Sequence, residues 1–474
     1  MGGPAALIID QGTHATRAMV MAADGQIRHS AFADVSLFRL SDTRVEQDAE
    51  EILSSVHRTV ARVLKESAAG RLEIDAAGLA TQRSSVVAWD RETGNPLSPV
   101  ISWQDCRVGR WLNQFRKDAS RIQQLSGLPL SPHYGAGKLR WLLDNVPAIK
   151  TAHMTGRLVW GPLAGFLIFH LVKNRPYLVD HANAQRTQLW NIQTRNWDDE
   201  LITLFQLPKG NLPTCMPVCG YYGKLTAADI PLRVVSGDQG AAYFSMGRMN
   251  VHKVLINIGT GAFLLAPTGE KPVYRQRLLS GLVASEEGRA EYVLEGTVNG
   301  AGAALDWAQK KWGIRNLSEN LPDWLSRETR LPVFLNAVGG IGSPWWRADM
   351  ASRLIGDGET WQRAVAVAES ILFLIQSNLD AMAAAGCDIK QLVVTGGLAR
   401  LDGLCRRLAD LSGKPVYRPA ETEATVRGTA WLVFGRPKRW PKSGRGRWFA
   451  PLANAPLKER YFRFCTEMKR TENR

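Results

Sequence analysis

Two aspartates stand where a chain could hold a cation beside an anion and activate a hydroxyl. Asp10 ends the apolar run Leu7-Ile8-Ile9 and is followed by Gln11-Gly12-Thr13. Asp238 lies in Ser236-Gly237-Asp238-Gln239-Gly240-Ala241-Ala242, after the strand-like Arg233-Val234-Val235. A carboxylate at a strand's tip beside a glycine turn suits a metal and phosphate oxygens, because glycine lets backbone N–H groups approach an anion closely. An acid at the end of another strand, opening a helix of small residues, suits a general base in a cleft. Each has a plainer reading: a β-turn for the first, a helix-capping aspartate for the second.

The elements around them favour the chemical reading. The first apolar run turns at Gly12-Thr13, resumes at Arg17-Ala18-Met19-Val20-Met21 and turns again at Asp24-Gly25. The same plan returns in Val254-Leu255-Ile256-Asn257-Ile258-Gly259-Thr260-Gly261-Ala262-Phe263-Leu264-Leu265, which turns at Thr268-Gly269. Two such hairpins half a chain apart predict a duplicated domain with a cleft between the copies. Facing glycine turns with a carboxylate for Mg²⁺ and a base for a hydroxyl are what transfer of a γ-phosphoryl group requires. Helical spacing of Ile52, Val56, Val60 and Val63 predicts a helix over Glu46–Glu66, and Ile74–Ala80 reads as a strand leading to Gln82-Arg83. Ala364–Met382 reads as a buried helix. Leu392-Val393-Val394-Thr395 reads as a strand ending at Gly396-Gly397, with a helix over Leu398–Leu411. The predicted class is α/β, with two domains, 1–246 and 247–474, meeting near Phe244–Asn250.

Composition sets the bounds. A chain of 474 residues exceeds the usual size of one core, and 45% hydrophobic with 22% charged residues is ordinary for a globular protein. No apolar run approaches the roughly 20 residues of a membrane helix, so no membrane partner is expected. The opening Met1-Gly2-Gly3-Pro4 lacks a basic leader, and Cys106, Cys215, Cys219, Cys387, Cys405 and Cys465 show no zinc-like spacing. The expected location is the cytoplasm. The net charge of +15 is concentrated after Gly435, in Arg436-Pro437-Lys438-Arg439, Lys442, Arg445 and Arg447 near Trp440 and Trp448. That stretch admits an RNA-binding reading, but a solvated basic surface is favoured over a nucleic-acid partner.

Taken together, the motifs resemble the FGGY carbohydrate kinases of the actin-like (ribonuclease H-like) ATPase superfamily, glycerol kinases most of all. The resemblance runs through Asp10-Gln11-Gly12-Thr13 with Arg17, Thr81-Gln82-Arg83, Trp103-Gln104-Asp105, Asn183-Ala184 with Arg186-Thr187, Gly237-Asp238-Gln239, Gly259-Thr260-Gly261 with Phe263, Gly396-Gly397, and Gly428 with Ala430. It implies two actin-like domains with Mg-ATP between them and a small sugar or polyol as acceptor, often in a homodimer or homotetramer. Asp10 would hold Mg²⁺ through water, with Asp238 also at the metal. Gly12, Thr13, His14 and Arg17 would shape the first phosphate loop, and Gly259, Thr260 and Gly261 the second. Gly396 and Gly397 would lie against adenosine. Asp238 would be the general base, with Gln82, Arg83, Ser84, Trp103, His133, Tyr134 and Phe263 lining the acceptor pocket.

Departures from the pattern sharpen the expectation. Ser84 stands where glycerol kinases carry Glu, and His133 where they carry Tyr, with Tyr134 one place on. Each lost polar partner weakens discrimination by about 1–3 kcal/mol, which argues against glycerol and for a longer polyol or a ketose. The Gln-Met-His-Gly signature of xylulokinases is also missing. On the nucleotide side, His14 replaces a hydroxyl residue, and Leu401 with Asp402 occupies the stretch expected beside adenine. The alternatives carried forward are an ordinary glycerol kinase and a catalytically silent actin-like nucleotide-binding protein.

Overall fold

The computed structural model describes residues 4–472, apart from 328–329, 348–349, 421–422 and 442–443. The N-terminal Met1-Gly2-Gly3 and Lys442 of the basic stretch lie outside the described residues.

Ala5–Gln11 is buried along its whole length, as a strand covered on both faces must be. It pairs antiparallel with Ala15–Ala22, which pairs antiparallel with Ile27–Asp34. On its other side it runs parallel to Ile74–Thr81, and that strand runs parallel to Leu232–Gly237. The helix Ala49–Ala69 covers one face with Ile52, Val56, Val60 and Val63. It starts at Asp48, whose carboxylate accepts from the amides of Glu50 (2.8 Å) and Glu51 (3.1 Å). Val426 and Ala430, from the helix Ala424–Val433 far along the chain, pack against Ala6, Ile8, Met19 and Met21. A second sheet of the N-terminal half includes Val86–Asp90 and Val100–Ile101 and presents the loops at Ser84 and Trp103.

The other large sheet repeats this plan. Lys253–Ile258, Ala262–Gly269 and Arg289–Val298 form an antiparallel meander, extended by Leu279–Glu286. Lys253–Ile258 also runs parallel to Gln391–Thr395, and that strand runs parallel to Val416–Arg418. The duplicated hairpins therefore sit at corresponding places in two sheets of one topology.

Two expectations need correction. The helix Thr360–Ala384 is, by length and composition, apolar enough to cross a membrane, a feature the sequence reading found nowhere. Glu369, Gln376 and Asn378 interrupt its apolar run, and 89% of its most apolar window is buried inside the fold, as suits a core helix. Glu369 is held there by Arg407 at 2.6 Å and Arg460 at 2.6 Å. The helix expected over Leu398–Leu411 is divided into a 3₁₀ turn, Gly397–Arg400, and an α-helix, Asp402–Ser412. Leu401 between them is extended and partly buried against the C-terminal core.

Candidate active site

The first hairpin places Asp10 opposite Arg17 in the ladder, and Arg17 Nη1 donates to Asp10 Oδ2 at 3.3 Å. Asp10 is only 5% exposed. Burial pushes its carboxyl up to about 7 against the pull of Arg17, and the charges of Asp238 and Glu423 add to the rise. The turn is braced from behind. Gln11 Nε2 donates to the Gly12 carbonyl (2.7 Å), Gln82 Nε2 to Gln11 Oε1 (3.1 Å) and Gln47 Oε1 (3.0 Å), and Gln47 Nε2 to the Thr13 carbonyl (2.8 Å). Gln82 is thus engaged with the first hairpin. His14 is exposed, and its carbonyl accepts from the Val35 amide at 2.9 Å.

In the second hairpin the Gly259 amide donates to the Gly261 carbonyl at 2.8 Å. The Thr260 carbonyl accepts from the amides of Ala301 (3.0 Å) and Ala303 (3.1 Å), which fastens the turn to the start of the helix Gly302–Trp312. Gly396 has φ +93°, and a Cβ there would lie 2.5 Å from the Ile258 carbonyl oxygen. Only glycine meets both demands.

A cavity of about 380 Å³ opens between the halves. Asp10 and Arg17 line it from the N-terminal side, and Gly396, Gly397, Arg400 and Glu423 from the other. Gly12, Thr13 and the turn 259–261 are not among its lining residues, although Asn257 is. Leu401 is turned into the core, and Asp402 pairs with Arg418 at 2.9 Å.

The surroundings of Asp238 are denser. Asp238 opens the helix Asp238–Tyr243, with 34% of its side chain exposed. Its desolvated setting pushes the carboxyl above the usual range, with Arg83 opposing. Arg83 Nε lies 3.8 Å from Asp238 Oδ1. The two terminal nitrogens of Arg83 are engaged elsewhere. Nη1 donates to Glu295 Oε1 at 3.3 Å, and Nη2 to Glu295 Oε2 at 3.4 Å and to Gln239 Oε1. Arg186 Nη2 donates to the same Glu295. Burial alone would raise Glu295, but the two guanidiniums hold it below the ordinary range.

Trp103 Nε1 donates to Thr13 Oγ1 at 3.0 Å, so the Trp103 loop is tied to the first glycine turn. His133 Nδ1 lies 3.1 Å from the Trp103 carbonyl, and burial with the nearby Lys138 lowers the imidazole, which favours its neutral form donating from Nδ1. Ser84 is buried with φ +66°. Tyr134 packs on Leu128 and Leu279, and burial pushes its phenol up to about 12, with Arg186 opposing. Phe263 is half-buried beside Thr297, two residues along the strand from Glu295.

Several residues at the site had no role in the sequence reading. Lys138 is fully buried, and its Nζ donates to the carbonyls of His133 (2.7 Å), Ser102 (2.8 Å) and Ser84 (3.4 Å). Burial lowers it to about 7. Glu295, Glu423, Arg400 and Arg418 also went unassigned, and Arg186 was noticed only within a motif. The basic stretch is partly neutralised: Arg436 pairs with Glu291 and Arg447 with Asp402. Trp440 donates to the Ser245 carbonyl at 3.1 Å and so is packed inward. All six cysteines are free, and no cluster of three metal-ligating side chains occurs among the described residues.

Two sheets of one topology flank a cavity lined by Asp10 and Glu423, the two-domain α/β architecture of the actin-like ATPases. Residues 5–236 match the N-terminal domain of the FGGY family of carbohydrate kinases, and residues 254–434 match its C-terminal domain. The chain is 36% identical over 443 residues to a glycerol kinase of Alkalilimnicola ehrlichii, covering 90% of this chain and 89% of that one. It is 34% identical to a glycerol kinase of Trichlorobacter lovleyi, covering 96% and 95%. A crystal structure of Plasmodium falciparum glycerol kinase with ADP superposes with a TM-score of 0.88 at 25% identity, over 100% of this chain and 99% of that one. A xylulose kinase structure from Brucella ovis shares the fold, with a TM-score of 0.86 at 21% identity over 98% and 99%. The chain belongs to the FGGY family of carbohydrate kinases, ATP-dependent phosphotransferases that act on hydroxyl groups.

Proposed function

We propose that this protein transfers the γ-phosphoryl group of ATP to a hydroxyl of a small polyol or sugar, with Asp238 as general base. The observation that carries this reading is the Arg83–Asp238 pair: the carboxylate is part-open, with 34% of its side chain exposed, beside a guanidinium side chain that is only 9% exposed. Such a carboxylate can take the proton of an incoming hydroxyl while Arg83 orients its oxygen. The cavity behind Asp10 would take the nucleotide, with Gly396 and Gly397 beside adenosine, and the halves 1–246 and 247–474 would close over it.

The residues present fit Mg²⁺. Asp10, Asp238 and Glu423 bring their charges together with Arg17 as the cation beside Asp10. Mg²⁺ is commonly held by one or two carboxylates with water and substrate phosphates, so a cluster of three protein ligands is not required. When bound, it would neutralise charge developing on the phosphates. Asp10 and Asp238 are the residues that would hold it.

The acceptor follows from Ser84 and His133. Ser84 supplies no carboxylate, and the His133 ring is turned to the Trp103 carbonyl, so neither offers the contacts expected for glycerol. A longer polyol or a ketose is the preferred acceptor. The glycerol kinase reading is favoured by the relatives named above. Acceptor-dependent ADP release with glycerol, erythritol, ribitol and several ketopentoses separates the two. If glycerol has the highest kcat/KM by a wide margin, the argument from Ser84 and His133 is wrong. A silent nucleotide-binding role gains nothing from Leu401, which leaves the cavity clear.

A further inference from the structure

Arg83 faces two carboxylates from opposite halves of the chain, and its geometry toward them is unequal. Asp238 has only the Nε side, at 3.8 Å, outside hydrogen-bond distance. Glu295 takes both terminal nitrogens, at 3.3 and 3.4 Å, and Gln239 shares Nη2. An arginine fork with a free choice pairs with a carboxylate through two parallel N–H donors. Turned onto Asp238, that fork would occupy the oxygens needed for a hydroxyl proton. Glu295 is 1% exposed and anchored a second time by Arg186, so its position is fixed before any ligand arrives. Room for it depends on Gly281 of the neighbouring strand, where an added Cβ would lie 1.8 Å from Glu295 Oε1.

We propose that Glu295 is a positioning residue for the transfer reaction: by holding the Arg83 fork, it keeps that fork off Asp238 and leaves the carboxylate open to the acceptor hydroxyl. The inference rests on the proposed role of Asp238 and adds to it a requirement supplied by the other half of the chain. Glu295 touches neither reacting group. It acts through Arg83, and this separates the role from that of a structural staple. A staple would matter whatever stands at position 83.

A double-mutant cycle tests this on the full-length protein, using Glu295→Gln, Arg83→Met and the pair, each with the best acceptor of the wild type. Glu295→Gln is expected to lower kcat by about 100-fold, the loss that follows a misplacement of about 1 Å at a reacting group. ATP affinity, read by equilibrium binding, should stay within about twofold, because the nucleotide cavity is lined by other residues. In the Arg83→Met background the same substitution should change kcat by less than about threefold, as expected of two residues acting as one unit. An equal loss in both backgrounds, or no loss in the first, overturns the proposal. If Glu295→Gln does not fold, the same cycle with Glu295→Asp keeps the charge while withdrawing its reach, and the same two outcomes decide. A wild type that releases no ADP with any acceptor defeats the functional reading itself. Turnover by the wild type with an additive cycle defeats only the role of Glu295.

Discussion

Gly428 lies in the helix Ala424–Val433 where it crosses the helix that carries Asp238. A Cβ added there would stand 1.7 Å from the Ala241 carbonyl oxygen, 2.7 Å from its carbon and 3.1 Å from the Ser245 amide nitrogen. All three are backbone atoms, so no rotamer change relieves the clash. Ordinary contact begins at roughly 3.5 Å, so Gly428→Ala must push the two helices apart by roughly 1.8 Å. Overpacking of this kind costs about 1–3 kcal/mol or more. Asp238 opens the displaced helix, and Thr425 Oγ1, one turn before Gly428, reaches the Asp238 carbonyl at 3.5 Å. A catalytic group misplaced by about 1 Å loses roughly 100-fold in rate. Gly428→Ala should therefore lower kcat for ADP release by about 100-fold and lower the thermal midpoint. Gly210→Ala, where an added Cβ meets nothing within 4 Å, is the control and should change neither. A Gly428→Ala protein with kcat within about threefold of the wild type would refute the claim that this crossing sets the position of Asp238.

Other consequences follow from the same contacts. Lys138→Met removes the donor shared by the Ser84, Ser102 and His133 carbonyls. It should raise the acceptor KM about 10-fold or more, as one or two lost hydrogen bonds would, and leave ATP affinity unchanged, as initial rates and equilibrium binding would show. Ser84→Glu restores a carboxylate beside Arg83 and should shift preference toward glycerol, read as the ratio of kcat/KM for glycerol to that for ribitol. His181, buried and bonded to Ser285 Oγ at 3.0 Å, is lowered by burial to about 4. The unfolded chain, with histidine near 6.5, binds more protons between these values, so stability falls as pH drops from about 6.5 to about 4, by up to roughly 3 kcal/mol. Thermal midpoints across that window should decline less for His181→Gln than for the wild type.

How far the sequence could be read depended on where each residue's partners lie. Both hairpins were legible because a glycine turn between apolar runs is a local signal. The first helix was legible from the spacing of Ile52, Val56, Val60 and Val63, although Asp48 starts it three residues later than expected, at Ala49. Asp10 and Asp238 could be singled out because strand, acid and glycine are neighbours in the chain. Glu295 could not, since its partners Arg83 and Arg186 are 212 and 109 residues away. Lys138 sits in Lys-Leu-Arg-Trp on a helix, a pattern that suggests a solvated amine; only the convergence of three loops shows it buried. The resemblance put Leu401 in the stretch expected beside adenine. The break in the helix there turns its side chain into the core, a result of packing that no local spacing encodes. The contact between Trp103 and Thr13, which joins the Trp103 loop to the first glycine turn, likewise needed the folded chain.

The central claim is that Asp238 takes the proton of an acceptor hydroxyl as ATP is cleaved. The most direct measurement compares wild type and Asp238→Asn for acceptor-dependent ADP release at saturating ATP and acceptor, with ATP binding measured in parallel. Loss of a general base predicts a fall in kcat of about 10²–10⁴-fold, with ATP still bound. An Asp238→Asn protein that turns over within about threefold of the wild-type kcat would contradict the account.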